Sequence, residues 1–214
     1  MTSNDRTPVV GVILAGGLSR RMGGGDKALL PLAGATMLER VLARLAPQVD
    51  SVVINANGNA DRFDAFGLPV VADPVPGFPG PLAGVLAGMR WAASRTPPAT
   101  DVLTVSADAP FLPLDLHRKL AAGRVRGRAP IALARSGGRL HPVIGLWPVS
   151  LAPRLAASLA AGSRKVEAWA DEHGAAPVDF PLTVSPEGPI DPFFNANTPA
   201  EWEAAERVAR WIAP

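Results

Sequence analysis

Apolar runs rich in β-branched residues recur along the chain, and each runs out into glycine, asparagine or aspartate. PVVGVILAGG (8–17), SVVINAN (51–57), LPVVAD (68–73) and DVLTVSAD (101–108) all have this form. Short apolar runs closed by turn residues predict buried strands. Between them the period changes. In ATMLERVLARLAP the residues Met37, Leu38, Val41, Leu42 and Leu45 share one helical face, and Thr36 with Glu39 has capping-box spacing, which predicts a helix starting there. GPLAGVLAGMRWAASR opens on glycine and proline and predicts a second helix, with another over 113–121. PIALAR and HPVIGLW, joined by a short GGR turn, predict an antiparallel pair of strands. Two alanine-rich helices near 151–172 and a last one from Thr198 complete the pattern.

Strands alternating with helices imply an α/β fold with a mostly parallel, mixed sheet flanked by helices. No linker or repeat divides the chain, so residues 1–214 are expected to form a single domain. In such sheets ligands sit outside the carboxyl ends of the strands. Gly16, Gly17, Asn55, Asp73 and Asp108 each follow an apolar run and are expected to share one pocket there. Asp101, at the other end of the fourth run, is expected to face away from it.

Composition removes several chemistries. There is no cysteine, which excludes disulfides, thiolate catalysis and cysteine-held metals. The three histidines are not spaced as a zinc site, so oxygen ligands and a magnesium-type ion fit better. Lys and Arg exceed Asp and Glu by two, with no basic tract for nucleic acid. The longest apolar runs fall far short of a membrane span, and the first residues lack the basic start of a signal peptide. A soluble cytoplasmic protein with no membrane partner is the expectation.

LAGGLSRRMGGGDK (14–27) holds five glycines and three basic residues. Bare backbone lets N–H groups approach an anion, Lys27 adds a point charge, and Arg20 or Arg21 a planar fork for phosphate. The loop is not a Walker A, because Asp26 precedes Lys27 and Ala28 follows it. Nor is it the dinucleotide fingerprint, whose third glycine is absent. A solvated glycine-arginine loop is the plain alternative.

The string Leu14-x-Gly16-Gly17-x-x-x-Arg21-Met22-Gly23-x-x-x-Lys27 resembles the signature loop of nucleotidyltransferases with a Rossmann-like, glycosyltransferase-A-like fold. The whole chain is most similar to the molybdenum cofactor guanylyltransferases: INAN (54–57), VADP (71–74), PGPLAGVLAG (79–88), SADAPF (106–111), HPVIGL (141–146) and FFNANTPAE (193–201) follow in the family's order. The resemblance implies a nucleotide-binding half over about 8–110 and an acceptor-binding half over about 111–214. It implies that Leu14, Ala15, Gly16 and Gly17 cradle GTP, that Lys27 and Arg21 meet its phosphates, and that Asp108 ligates Mg²⁺. Asn55, Asp73 and Gly80 are expected at the nucleotide, with Gly84 also giving close approach to it. His141, Asn195 and Asn197 are expected near the acceptor. Each has a structural alternative: Leu14 as core, Asp108 as a cap or turn residue, Asp73 and Asn55 as turn residues, and Lys27 as a solvated side chain. Thr198, Pro199 and Glu201 form a helix start in either reading.

The implied reaction joins GMP from GTP to the terminal phosphate of Mo-molybdopterin and releases pyrophosphate. A phosphate monoester with a second pKa of ~6 is already mostly dianionic at neutral pH. No general base is needed, which agrees with a chain lacking an evident nucleophile–base pair. Relatives using CTP typically carry alanine where this chain has Gly17, so guanine is the expected base by resemblance. A cytidylyltransferase, a nucleotidyltransferase with another acceptor, and a non-catalytic carrier are the alternatives. A monomer suffices for the expected site, and delivery proteins for molybdoenzymes are conceivable partners because a reactive pterin product is better handed over than released.

Overall fold

The computed structural model describes residues 8–16, 26–75, 80–186, 188–196 and 198–212. Gly17, Arg20 and Arg21 of the glycine loop, together with Asn197, lie outside the described residues.

The strands are β1 (Val9–Leu14), β2 (Pro31–Leu32), β3 (Ala35–Thr36), β4 (Ser51–Asn55), β5 (Val70–Val71), β6 (Asp101–Ser106), β7 (Ile131–Ser136), β8 (Arg139–Pro148), β9 (Ala175–Phe180), β10 (Thr183–Ser185) and β11 (Gly188–Ile190). The helices are α1 (Met37–Leu45), α2 (Pro81–Ala93), α3 (Leu116–Gly127), α4 (Ala152–Ala160), α5 (Val166–Glu172) and α6 (Pro199–Trp211). Seven strands form the main sheet in the order β5-β4-β1-β6-β8-β7-β9. Only β8 runs against its neighbours, so the sheet is mostly parallel and mixed, as the sequence implies. Among the described residues, no helix is long and apolar enough to cross a membrane.

Alternation along β1 divides the core in two. Val9 and Ile13 face α1 and α3, where Leu38, Val41, Leu45, Leu116 and Leu120 are buried. Val10 and Val12 face α2, α4 and α5, with Trp147 and Trp169 at the centre of that layer. Period-2 alternation with both sides apolar is what a sheet covered on both faces requires. A third cluster joins α6 to Leu32, Met37 and Phe111.

Both predicted capping boxes form. Thr36 and Glu39 open α1, and Thr198 and Glu201 open α6, each pair exchanging side-chain and backbone bonds. The β7–β8 hairpin turns at Gly137 and Gly138, both at positive φ. Helix α2 lies unusually close to β1: a Cβ on Gly88 would stand 2.5 Å from Val12 Cγ2, and one on Gly84 2.7 Å from Leu14 Cδ2. Two small residues four apart form a groove along the helix that the strand's side chains fill.

Three expectations differ from the structure. LPVVAD pairs only over Val70 and Val71, beside Ile54 and Asn55. The helix expected over 113–121 is α3, at Leu116–Gly127. β9 was not foreseen, because AAPVDF has a proline and an aspartate where an apolar run would be recognised.

Candidate active site

The carboxyl edge gathers the ends of β1, β4, β5 and β6. Ala15 N–H donates to Asn55 O at 2.8 Å and Ala107 N–H to Leu14 O at 3.1 Å, so the chain segments leaving β1, β4 and β6 stay side by side. Because β7 is parallel to β6 and β8 antiparallel, Ser136 at the end of β7 and the start of β8 join the same edge.

Asp108 and Lys27 form the centre. Asp108 follows β6, and its Oδ1 accepts the Ser106 hydroxyl at 2.5 Å. Lys27 Nζ donates to Asp108 Oδ2 at 2.8 Å. Lys27 opens a short 3₁₀ turn, Lys27–Leu29, and is only 9 % exposed. The ammonium is folded in and pairs with the carboxylate expected to hold metal. Asp101, at the far end of β6, is gripped by both guanidinium nitrogens of Arg124, away from this edge, as expected.

The nucleotide-side residues separate into two groups. Gly16 is exposed, and a Cβ there would have only Asn55 Oδ1 near it, at 4.0 Å. Among the described residues no atom requires that glycine. Leu14 is half-buried and packs with the α2 layer, and Ala15 is buried. Gly80 precedes α2 with extended backbone, and a Cβ there would approach only Arg164 O at 4.0 Å.

Asn55 has a structural task at this edge. It is 3 % exposed, and its Nδ2 donates to Val71 O at 3.2 Å and to Asp73 Oδ1 at 3.0 Å. Both amide hydrogens are engaged inside the protein, where they hold Asp73. Asn57 completes that hold, donating to Asp73 Oδ2 at 2.7 Å while its Oδ1 accepts from Asp73 N–H at 2.9 Å. Gly84 serves the same arrangement: a Cβ there would fall 2.2 Å from Asn55 Oδ1, so its bareness accommodates Asn55.

At the β7–β8 end of the edge, His141 Nε2 lies 2.8 Å from Ser136 Oγ and 3.3 Å from Asp191 Oδ2. The Ser136 hydroxyl donates to Asp191 Oδ1 at 2.6 Å, which also accepts from Phe193 N–H at 2.8 Å. With its single hydrogen given to Asp191, Ser136 accepts from His141, whose proton therefore sits on Nε2. The imidazole packs against Phe193 with centroids 4.9 Å apart. Asn195 follows two residues later and is half-buried. Ser136, Asp191, Ser106 and Asn57 had no assigned role from sequence; SADAPF and INAN contain two of them, but nothing in those strings shows which side chain turns inward.

Burial pushes the His141 pKa below its free value of 6.5; Asp191 opposes that shift and Arg139 adds to it. The unfolded imidazole therefore takes a proton more readily than the folded one. The stability this neutral ring contributes is full above the free value and is lost as pH falls through it towards the lower folded value. Melting between about pH 7.5 and 5.5 is expected to fall more steeply in the wild type than in His141→Gln. Equal slopes would remove this assignment.

A family profile described as the MobA-like NTP transferase domain matches residues 11–177. The molybdenum cofactor guanylyltransferase of Rhodopseudomonas palustris (strain BisB5) is 51% identical over 210 residues, covering 98% of this chain and 97% of that protein. Among solved structures, the molybdopterin-guanine dinucleotide biosynthesis protein A of Archaeoglobus fulgidus superposes with a TM-score of 0.72 at 20% identity, covering 95% of this chain and 100% of that one. A protein of Mycobacterium tuberculosis H37Rv solved in complex with manganese gives 0.64 at 20% identity, covering 94% and 99%.

Proposed function

Because the chain belongs to the MobA-like NTP transferase family, we propose that it is a molybdenum cofactor guanylyltransferase, transferring GMP from GTP to the terminal phosphate of Mo-molybdopterin with release of pyrophosphate. The observation that carries this reading is the Lys27–Asp108 pair at the carboxyl edge beside the open backbone of Gly16. One strand-end carboxylate, one buried ammonium and a glycine at a neighbouring strand end are parts that phosphoryl transfer uses.

The donor set fits magnesium. Among the described residues no three acidic or histidine side chains converge as a protein cage. Mg²⁺ is typically held by one or two carboxylates with substrate phosphates and retained waters, and Asp108 supplies that single carboxylate. The ammonium on Asp108 Oδ2 shows that this position already holds positive charge. When bound, the ion would neutralise charge developing on the phosphates. Lys27 holds phosphate oxygens and lowers the repulsion between the two anionic substrates. Ser106 fixes the Asp108 carboxylate in rotation. Asn55 and Asn57 fix Asp73 at the nucleotide side. The acceptor's phosphate arrives already ionised, so the residues present align it rather than activate it. Its arrival side is the Ser136–His141–Asp191 wall. Arg21 is assigned to the phosphates, Gly17 to the guanine preference and Asn197 to the acceptor by family resemblance. A cytoplasmic location accords with the use of GTP.

The deciding experiment incubates purified protein with Mg²⁺, Mo-molybdopterin and GTP, CTP or ATP in separate reactions. Guanine dinucleotide from GTP, with little product from CTP, is expected. Product from CTP alone would overturn the base assignment, and tight GTP binding without product would favour a carrier.

A further inference from the structure

Arg62 lies in the 3₁₀ segment Ala60–Phe66 after β4, outside every motif of the resemblance. Its Nε donates to Asp26 Oδ2 at 2.6 Å, its Nη2 to Asn57 O at 2.9 Å, and its Nη1 to Asn59 O. The guanidinium carbon sits 4.6 Å from the ring centroid of Phe63, which is fully buried. One planar fork therefore joins three backbone or side-chain groups of two loops and rests on the core.

Asp26 is the other half of the arrangement. It stands immediately before the Lys27–Leu29 turn, in the position of a cap, yet its side chain makes no capping bond there. Aspartate at a helix start ordinarily accepts from the first turn's N–H groups. Here the carboxylate is turned to Arg62 instead, and only the Asp26 carbonyl closes the turn, accepting from Leu29 N–H at 2.9 Å. The next residue is Lys27, aimed at Asp108. On the other side, Asn57 is held by its carbonyl to Arg62 and by its amide to Asp73. The chain of contacts is continuous: Asp108, Lys27, Asp26, Arg62, Asn57, Asp73.

We infer that Arg62 is a positioning residue of the transfer reaction, which with Asp26 fixes where Lys27 enters the phosphate site and ties that entry to the Asp73 wall. The inference rests on the reading of Lys27 as a phosphate contact. An exposed ion pair alone would contribute little to stability. This one is set in a three-acceptor fork whose geometry lysine cannot reproduce.

Calorimetric titration of GTP with Mg²⁺ into wild type, Arg62→Met, Lys27→Met and the double variant tests it, with melting temperatures confirming folding. Lys27→Met is expected to weaken GTP binding by about ten- to a hundredfold, and Arg62→Met by roughly tenfold. The double variant should bind no more weakly than Lys27→Met within about twofold, because neighbours in one network do not act additively. Arg62→Lys should recover only part of the loss. Wild-type affinity in Arg62→Met, or losses that add in full, would overturn the inference while leaving the phosphate role of Lys27 standing. Wild-type affinity in Lys27→Met would overturn both. Asp26→Asn carries the same cycle without disturbing the fork on Phe63, and serves if Arg62→Met does not fold.

Discussion

Asp108→Asn is expected to lower turnover by about 10²–10³-fold while changing GTP affinity much less, the loss typical of removing one centred electrostatic contact from a transition state. The amide keeps the shape and one acceptor oxygen, but it gives neither the full negative charge a divalent ion needs nor a charged partner for the Lys27 ammonium. Lys27, 9 % exposed and bonded to this carboxylate, would lose that ion pair, so some loss of melting temperature is also expected. Asp101→Asn is the matched control. It lies on the same strand and is also ion-paired, but with Arg124 at the opposite edge. Its melting temperature should fall while the rate per folded molecule stays at wild type. Single-turnover rates with GTP and acceptor separate the two, and a near-normal rate in Asp108→Asn would sink the metal assignment.

Gly84→Ala is expected to lose both stability and nucleotide binding. Alanine would gain up to about 1 kcal/mol from helix propensity. Against that, its Cβ would fall 2.2 Å from Asn55 Oδ1 and 2.7 Å from Leu14 Cδ2, inside contact distance on two sides. Overpacking of this kind costs about 1–3 kcal/mol, so the steric effect wins. With the full propensity gain subtracted about 0–2 kcal/mol of cost is left, which for a chain of this size lowers the melting temperature by up to roughly 8 °C. Displacing Asn55 also releases Asp73, so GTP binding should weaken. Gly88→Ala meets Val12, a core residue, as its nearest neighbour at 2.5 Å and should lose stability alone. Gly16→Ala meets nothing closer than 4.0 Å among the described residues and should keep its melting temperature while losing GTP binding. Calorimetry on the three variants distinguishes a glycine needed by the fold from one needed by the ligand. Identical profiles would refute the division.

The sequence exposes those parts of this molecule whose signal is local. β-branched runs ending in turn residues mark β1, β4 and β6, and the spacing of Thr36 with Glu39 and Thr198 with Glu201 marks two helix starts to the residue. The rule that ligands gather at strand ends brought Gly16, Asn55, Asp73 and Asp108 to one edge. What the sequence does not show is how these residues use one another. Lys27 and Asp108 are 81 positions apart and Ser136 and Asp191 are 55 apart, and no local pattern connects them. Arg62 follows a polar turn and reads as solvated. Asn55 and Gly84 each suggested ligand contact because amides and glycines often serve it, whereas here the helix–strand approach brings the two together. Burial decides such cases, and burial depends on elements distant in sequence.

The two outer strands of the sheet limit how the protein meets its own kind. β5 is only two residues long, and β9 carries Pro177 in its middle, which supplies no N–H to either side. An edge strand recruits another chain by offering an unbroken row of backbone donors and acceptors. Neither margin offers that row. Extension of this sheet from one molecule into the next is therefore disfavoured at both ends, and the protein is guarded against strand-by-strand aggregation at margins distinct from the carboxyl edge.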